Sequence, residues 1–444
     1  MRYLLNLVYI LLLVVFSPFL LYRVVRLKKY RSGWNEKLWG LVPKMEPRSG
    51  SGKTGKRVWL HAVSVGEMNL LKPILRELAA SHPDWECVLS TTSQTGMELG
   101  RRLFPQYPLF YCPLDFSWAT ATAMRRICPD WLVLVELELW PNLISTARRF
   151  GVRTAIVNGR ISDESFRRYR WIRRLTLALF KKLDFVAVQD AIAADRFRQL
   201  GVPEEKMTVT GSIKFDGVQT DPRNEKTVRL AQLAGIRETD RVFLAGSTQE
   251  PEEAFALTTF RTLADEFPDL KLILVPRHPE RFDTVADLLQ KSGVNWVRRS
   301  RLKEPETGDN RRTPKPSDTG GGGLASRILL VDTIGELGAW WGTAQIAFVG
   351  GSLGRRGGQN MLEPAAYGAA VSFGPNTRNF RDISSTMLRE QAAVVVASQD
   401  EMTAFVRRAL SDISWRQGLS ERARRLVLRQ QGATRKTVRC FSEK

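Results

Sequence analysis

Three glutamates, a lysine and a glycine-rich basic stretch are the residues of this chain whose types and spacing could do chemistry. Glu67 closes the run His61-Ala62-Val63-Ser64-Val65-Gly66-Glu67, where an apolar run gives way to a helical pattern. Ligands of open α/β sheets bind at the carboxyl ends of strands beside helix N-termini, and Gly66 lets a backbone approach closely. A carboxylate there can cap the helix or act as a general base. Glu136 and Glu138 end another apolar run, in Glu136-Leu137-Glu138-Leu139-Trp140-Pro141-Asn142. Strand alternation predicts that they share a side, where they must pair with cations or steady a polar substrate. Asn158-Gly159-Arg160 follow the next apolar run, and Lys214 lies in Gly211-Ser212-Ile213-Lys214-Phe215-Asp216. Both place a cation where an anionic ligand would bind.

The second half repeats the pattern with different residues. Gly246-Ser247-Thr248 precede an acidic helical start, Glu250 to Glu253. Pro276-Arg277-His278-Pro279-Glu280-Arg281 follow an apolar run and suit a phosphate or a base edge. A local backbone hydrogen bond is expected for His278, rather than acid–base work. Asp332-Thr333-Ile334-Gly335-Glu336-Leu337 reads as a strand end passing into a helix, with Gly335 allowing close approach. Gly350-Gly351-Ser352-Leu353-Gly354-Arg355-Arg356-Gly357-Gly358-Gln359-Asn360 then runs into Met361-Leu362-Glu363-Pro364. Free backbone N–H groups in such a loop predict an anion cradle, and Glu363 can accept hydrogen bonds from ribose hydroxyls. The three histidines, His61, His82 and His278, show no H-E-x-x-H spacing, so no zinc centre is expected. Gly52-Lys53-Thr54 is not a P-loop, because Pro47 stands where its first glycine belongs.

These residues need strands to position them. Candidate strands are 57–61, 85–91, 109–112, 131–136, 153–158, 184–189 and 207–211, then 241–246, 270–275, 294–299, 327–332, 346–350, 370–373 and 392–397. Each is short and nearly all apolar, with helical patterns between, as in parallel sheets covered on both faces. The reading is α/β: two doubly wound domains facing each other across a cleft. Their expected bounds are 57–215 and 225–415, with a flexible polar loop at 302–323. A helical segment, 416–444, is expected to pack back on the first domain.

Composition supports a folded chain with an anionic partner. Of 444 residues, 43% are hydrophobic and 25% charged, and 67 Lys+Arg against 46 Asp+Glu leave +21. Cys87, Cys112, Cys128 and Cys440 form no C-x-x-C pair, which fits reduced thiols in a cytosolic compartment. Leu4 to Leu21 carry no charge, and Arg23, Arg26, Lys28, Lys29 and Arg31 follow them. As a helix this segment is about 27 Å long, near the hydrocarbon thickness of a bilayer. Residues 1–43 are therefore expected to anchor the chain, with its bulk on the cytoplasmic side. Pro18 leaves open whether the segment crosses or enters one leaflet. The basic residues, with Trp34 and Trp39, would meet anionic phospholipid headgroups. No helix-turn-helix, RRM or zinc pattern supports nucleic acid as the partner.

Seven motifs, in order, carry a resemblance. HAVSVGE, ELELWPN, GSIKFD, PRHPERF, DTIGELG, FVGGSL and GGQNMLEP resemble the 3-deoxy-D-manno-octulosonic acid (Kdo) transferases of lipopolysaccharide synthesis. The resemblance implies a GT-B fold and transfer of Kdo from CMP-Kdo to a lipid A precursor (lipid IVA) at the bacterial inner membrane. It implies inversion at the anomeric carbon, with no catalytic metal and no cofactor. By motif, Glu67 would be the proton acceptor, and Glu136 and Lys214 the transition-state stabilisers. CMP contacts would fall at Pro276, Arg277, Ile334, Gly335, Glu336, Asn360, Met361, Leu362 and Glu363. Gln249 and Pro251 stand where the family usually has histidine and glycine. That departure leaves another nucleotide sugar or lipid acceptor as the alternative.

Overall fold

The computed structural model describes residues 2–26, 32–46, 55–302 and 326–443. Residues 303–323 of the expected loop, Lys28, Lys29 and Arg31, and residues 47–54 lie outside them. The chain divides into two compact units, 1–217 with 430–444, and 218–429.

The first unit is built on seven parallel strands: β1 (Arg57–His61), β2 (Glu86–Thr91), β3 (Leu109–Tyr111), β4 (Trp131–Val135), β5 (Arg153–Gly159), β6 (Phe185–Val188) and β7 (Met207–Val209). Their order is β3-β2-β1-β4-β5-β6-β7. The second unit holds β8 (Arg241–Thr248), β9 (Leu270–Pro276), β10 (Trp296–Arg298), β11 (Ile328–Leu330), β12 (Ile346–Val349), β13 (Ala370–Phe373) and β14 (Val394–Val395). Their order is β10-β11-β9-β8-β12-β13-β14, again all parallel.

Every expected strand forms, and the reason is visible in the packing. Alternate residues of one strand feed opposite faces. In β4, Leu132 and Leu134 join one core of the first unit, whereas Trp131, Val133 and Val135 join the core on the other face. A strand buried on both sides must be apolar throughout. The four edge strands β3, β7, β10 and β14 are only two or three residues long, which limits exposed ladder edges. In the second unit, β14 keeps only Val394 and Val395 of the expected 392–397.

The helix Arg2–Arg26 docks on the first unit through polar anchors. Asn6 is buried, donates to the Ser117 hydroxyl (2.7 Å) and accepts from the Ser117 N–H (3.0 Å). The Tyr9 hydroxyl donates to Asp115 (2.9 Å). Leu7, Leu11, Val14 and Val15 remain exposed on its outer side. Among the described residues, no helix is long and apolar enough to cross a membrane. The expected span over 4–21 is thus not seen as such; the described segment is a helix held by one face.

Residues 416–429 stay with the second unit, and only 430–444 return to the first. There the helix Ala433–Ser442 packs on the helix Val65–Ser81, the one that follows β1. Phe441 is fully buried, its ring 5.7 Å from Trp131 and 6.4 Å from Trp85. Asp216 accepts the N–H groups of Gly432 (2.7 Å) and Thr434 (2.5 Å), fixing the entry to this helix. Removing a buried aromatic ring leaves a cavity the neighbours fill only in part. Phe441→Ala is expected to lower the unfolding free energy by about 3–5 kcal/mol in urea. A loss under about 1 kcal/mol would mean that the C-terminal helix is not part of this core.

Candidate active site

In an open α/β sheet the ligand crevice lies where successive connections leave in opposite directions. In the first unit that point is between β1 and β4, which pair directly while their chains continue to β2 and β5. Glu67 follows β1 and Glu136 follows β4, so the topology sends both to this crevice.

Glu67 sits in the first turn of the helix Val65–Ser81. Ser64 Oγ accepts the Glu67 N–H (3.3 Å) and donates to Oε1 (2.8 Å), while Oε2 accepts the Val63 N–H (2.8 Å). This is a capping box, so the cap and the candidate base are one arrangement. Burial pushes the Glu67 carboxyl above its ordinary range; the Val63 and Ser64 bonds oppose that, and the charge of Glu136 adds to it. The result is a fixed and more basic carboxylate.

The strand ends at Val135, and Glu136 takes φ 60°, a left-handed conformation that a non-glycine residue adopts only when its surroundings enforce it. Simple alternation therefore stops before the two glutamates, and each finds a different partner. Glu136 lies between Lys214 (3.1 Å) and Arg160 (3.9 Å). Glu138 instead accepts the indole N–H of Trp140 (3.0 Å). Its carboxyl is pushed up to about 7 by burial, then by the nearby charges of Glu67 and Glu136, with the Trp140 bond opposing. The crevice thus holds three carboxylates in different electrostatic settings.

Asn158 is the residue that sequence reasoning undervalued. It also has a left-handed backbone (φ 56°), at the end of β5. Its Oδ1 accepts the N–H of Ile213 (3.0 Å), which sets the turn Ile213–Phe215 and so places Lys214 beside Glu136. Its Nδ2 is buried with no hydrogen-bond partner among the described residues. Asparagine tolerates this backbone better than most residues, and Asn-Gly at a strand end was the available signal. His61 is fully buried against Ser90 (2.9 Å), and burial lowers its pKa to about 4, so it stays neutral.

In the second unit the corresponding crevice lies between β8 and β12. Glu252 dominates it. Its carboxylate accepts four backbone N–H groups: Gln249 (2.8 Å), Gly351 (2.7 Å), Ser352 (2.9 Å) and Leu353 (3.0 Å). One buried side chain thus ties the loop after β8 to the loop after β12. This removes the N–H groups of 351–353 from the anion cradle expected over Gly350 to Asn360 and the helix start beyond, because Glu252 already takes them. Glycine is required at 350, where a Cβ would fall 2.6 Å from Glu252 Oε2. Gln249 contributes its backbone N–H to this clamp, which any residue except proline could do.

The remaining candidates of the second unit occupy strand ends and loops. Pro276 is the last residue of β9, and the Arg277 N–H bonds to the Thr248 carbonyl (3.0 Å). The His278 ring lies 3.9 Å from Glu280, where a backbone hydrogen bond was expected. Ile334 is exposed and Gly335 takes φ 88°. Burial works against ionisation of Glu336, but hydrogen bonds from Thr333 and Arg299 outweigh it and hold the carboxyl below its usual range. Arg299 grips both oxygens, at 3.0 and 2.9 Å. Met361 and Leu362 are buried. Asn360 accepts the Leu362 N–H (3.1 Å) and donates to Glu363 (3.1 Å). Burial raises the Glu363 carboxyl, opposed by Asn360 and by the charge of Arg277.

The raised carboxyl of Glu138 has a measurable consequence. Its folded-state pKa of about 7 lies above the unfolded value, so the native state binds more protons between the two. Stability contributed by this group then falls as pH rises through that window. Glu138→Gln, which cannot ionise, is expected to be about 1–2 kcal/mol more stable relative to wild type at pH 8 than at pH 5, allowing for partial solvent screening. Urea unfolding at both pH values measures this; an equal difference at both would show that Glu138 titrates normally.

Comparison with known proteins gives this geometry a lineage. Residues 32–217 match the family model described as 3-deoxy-D-manno-octulosonic-acid transferase (kdotransferase). The chain is 32% identical over 384 residues to the 3-deoxy-D-manno-octulosonic acid transferase of Haemophilus influenzae, covering 86% of this chain and 85% of that one. It is 33% identical over 390 residues to the transferase of the same name from Bordetella pertussis, covering 86% of each. Among solved structures, a glycosyltransferase from Rickettsia africae shares the fold, with a TM-score of 0.53 at 12% identity over 88% of this chain and 98% of that one. Identity at this level over nearly the whole length of the relatives shows common descent: the chain belongs to the 3-deoxy-D-manno-octulosonic acid transferase family of glycosyltransferases.

Proposed function

We propose that this Kdo transferase takes its sugar from CMP-Kdo and passes it to a lipid A precursor, with inversion and without a metal. The observation that carries the reading is the buried, capped Glu67 beside Glu136, itself paired with Lys214 at 3.1 Å. Family membership supplies the sugar.

In this reading Glu67 takes the proton from an acceptor hydroxyl as its oxygen attacks the anomeric carbon of Kdo. The bond from that carbon to the phosphate oxygen breaks, and CMP leaves with the electron pair. Positive charge grows on the sugar ring, and Glu136 offsets it. Lys214 pairs with Glu136 and can face the Kdo carboxylate or the phosphate. Residues of the second unit would hold the nucleotide: Arg277 at the phosphate, Glu363 at the ribose hydroxyls, and Pro276, Ile334, Gly335, Glu336, Asn360, Met361 and Leu362 around them. Arginine charge at the leaving phosphate would do what a metal does elsewhere.

The acceptor is an acylated, phosphorylated lipid, so the reading places the protein at the cytoplasmic side of the inner membrane. The exposed apolar side of the helix Arg2–Arg26 supports this, as do the exposed rings of Trp34 and Trp39. The net charge of +21 favours anionic headgroups.

The test gives CMP-Kdo and lipid A precursor to wild type and Glu67→Gln, each with and without EDTA. Loss of the base should lower kcat by about 10²- to 10⁴-fold while CMP binding persists. EDTA should leave the wild-type rate unchanged, and NMR of the product should show the inverted anomer. Full activity in Glu67→Gln, or abolition by EDTA, would overturn the mechanism.

A further inference from the structure

Beside the helix Arg2–Arg26 the first unit contains an apolar groove of about 240 Å³. Leu12, Leu13 and Phe16 form one wall, and Leu114, Phe116 and Trp140 form the other. Of its lining residues, the motifs assigned above contain Trp140 alone.

Three observations say what kind of ligand it takes. First, its polar groups are already satisfied. Asp115, the charged residue in the lining, accepts from the Tyr9 hydroxyl (2.9 Å) and from the N–H groups of Asn142 (3.0 Å) and Leu143 (2.8 Å). A ligand here meets hydrocarbon and aromatic surface, with no open donor or acceptor to reward a polar group. Second, the groove opens beside an apolar surface. Leu12 and Phe16 line it while remaining 48% and 54% exposed, and Leu11 and Val15 next to them are exposed as well. Third, it is joined to the catalytic carboxylates. Trp140 lines the groove with its ring and donates its indole N–H to Glu138 (3.0 Å), whose carboxyl feels the charge of Glu67.

We infer that the groove seats one acyl chain of the lipid acceptor while that molecule's sugar hydroxyl reaches Glu67. A water-sized unit, close to a methylene in volume, takes about 30 Å³, so the space suits a run of roughly eight such groups. A phospholipid chain would satisfy the lining equally, but only the acceptor must also present a hydroxyl at the carboxylate cluster, whose Glu138 is held by Trp140. The inference rests on the acylated acceptor proposed above.

The experiment uses the full chain and an acceptor analogue carrying a photoactivatable diazirine in one acyl chain. Irradiation followed by peptide mapping should place the label on residues 9–16 and 114–140. Leu13→Trp, which fills the groove, should cut that labelling and raise KM for the acylated acceptor about tenfold with kcat little changed. Leu114→Trp fills it from the other wall and should do the same; circular dichroism checks that both variants fold. Transfer to a deacylated phosphorylated disaccharide should be equal in wild type and both variants. Label confined to the outer face of the helix, or KM unchanged in two folded variants, would overturn the inference. So would labelling by a diazirine phospholipid that the acceptor fails to compete away. Labelling of the groove by the acceptor analogue in a protein that transfers no sugar would support the groove and sink the proposed reaction, which keeps the two readings separable.

Discussion

A parallel sheet covered by helices on both faces leaves its polar side chains the ends of the strands. The candidate site of this chain follows from that constraint at the carboxyl ends. The strands themselves are buried, and β4 is apolar over its full length. The topology therefore offers two crevices, one per unit, where the strand order reverses. Each crevice must then stabilise carboxylates that the adjoining core would otherwise protonate.

The two units solve that problem differently. In the first, three glutamates meet three kinds of partner. Glu67 is held by backbone and serine donors, Glu136 by Lys214 and Arg160, and Glu138 by an indole N–H alone. The partners tune the carboxyls: donors to Glu67 offset part of the rise that burial imposes, whereas a single neutral donor among like charges leaves Glu138 pushed up to about 7. In the second unit, Glu252 is spent wholly on structure. It accepts four backbone N–H groups and fixes two loops. The same residue type caps a helix in one crevice and clamps two loops in the other, because the donors around it differ.

The first helix brings an apolar surface to the same unit as this crevice. Its inner side is pinned by Asn6 and Tyr9, its outer side is apolar, and a groove runs between it and Trp140. Polar pins suit a helix that must keep a groove open, since continuous apolar packing would close it. The tryptophan that lines this groove also holds Glu138, so the groove and the carboxylate cluster share a side chain.

Much of this was legible in the residues alone. Period, length and apolar content marked all fourteen strands, because a strand buried on both sides has few alternatives to Val, Ile and Leu. Ordered motifs marked the family, strand-end position marked Glu67 and Glu136, and the boundary between the two expected domains marked Lys214. The tertiary structure decided what those residues touch. That Glu136 leaves the strand alternation at φ 60°, that Asn158 sets the Lys214 turn, and that Glu252 occupies the glycine-rich loop all depend on contacts between segments far apart in sequence. Local patterns encode periodicity and backbone preference. Partner choice depends on which distant donors the fold brings within about 3 Å, and no local pattern carries that information.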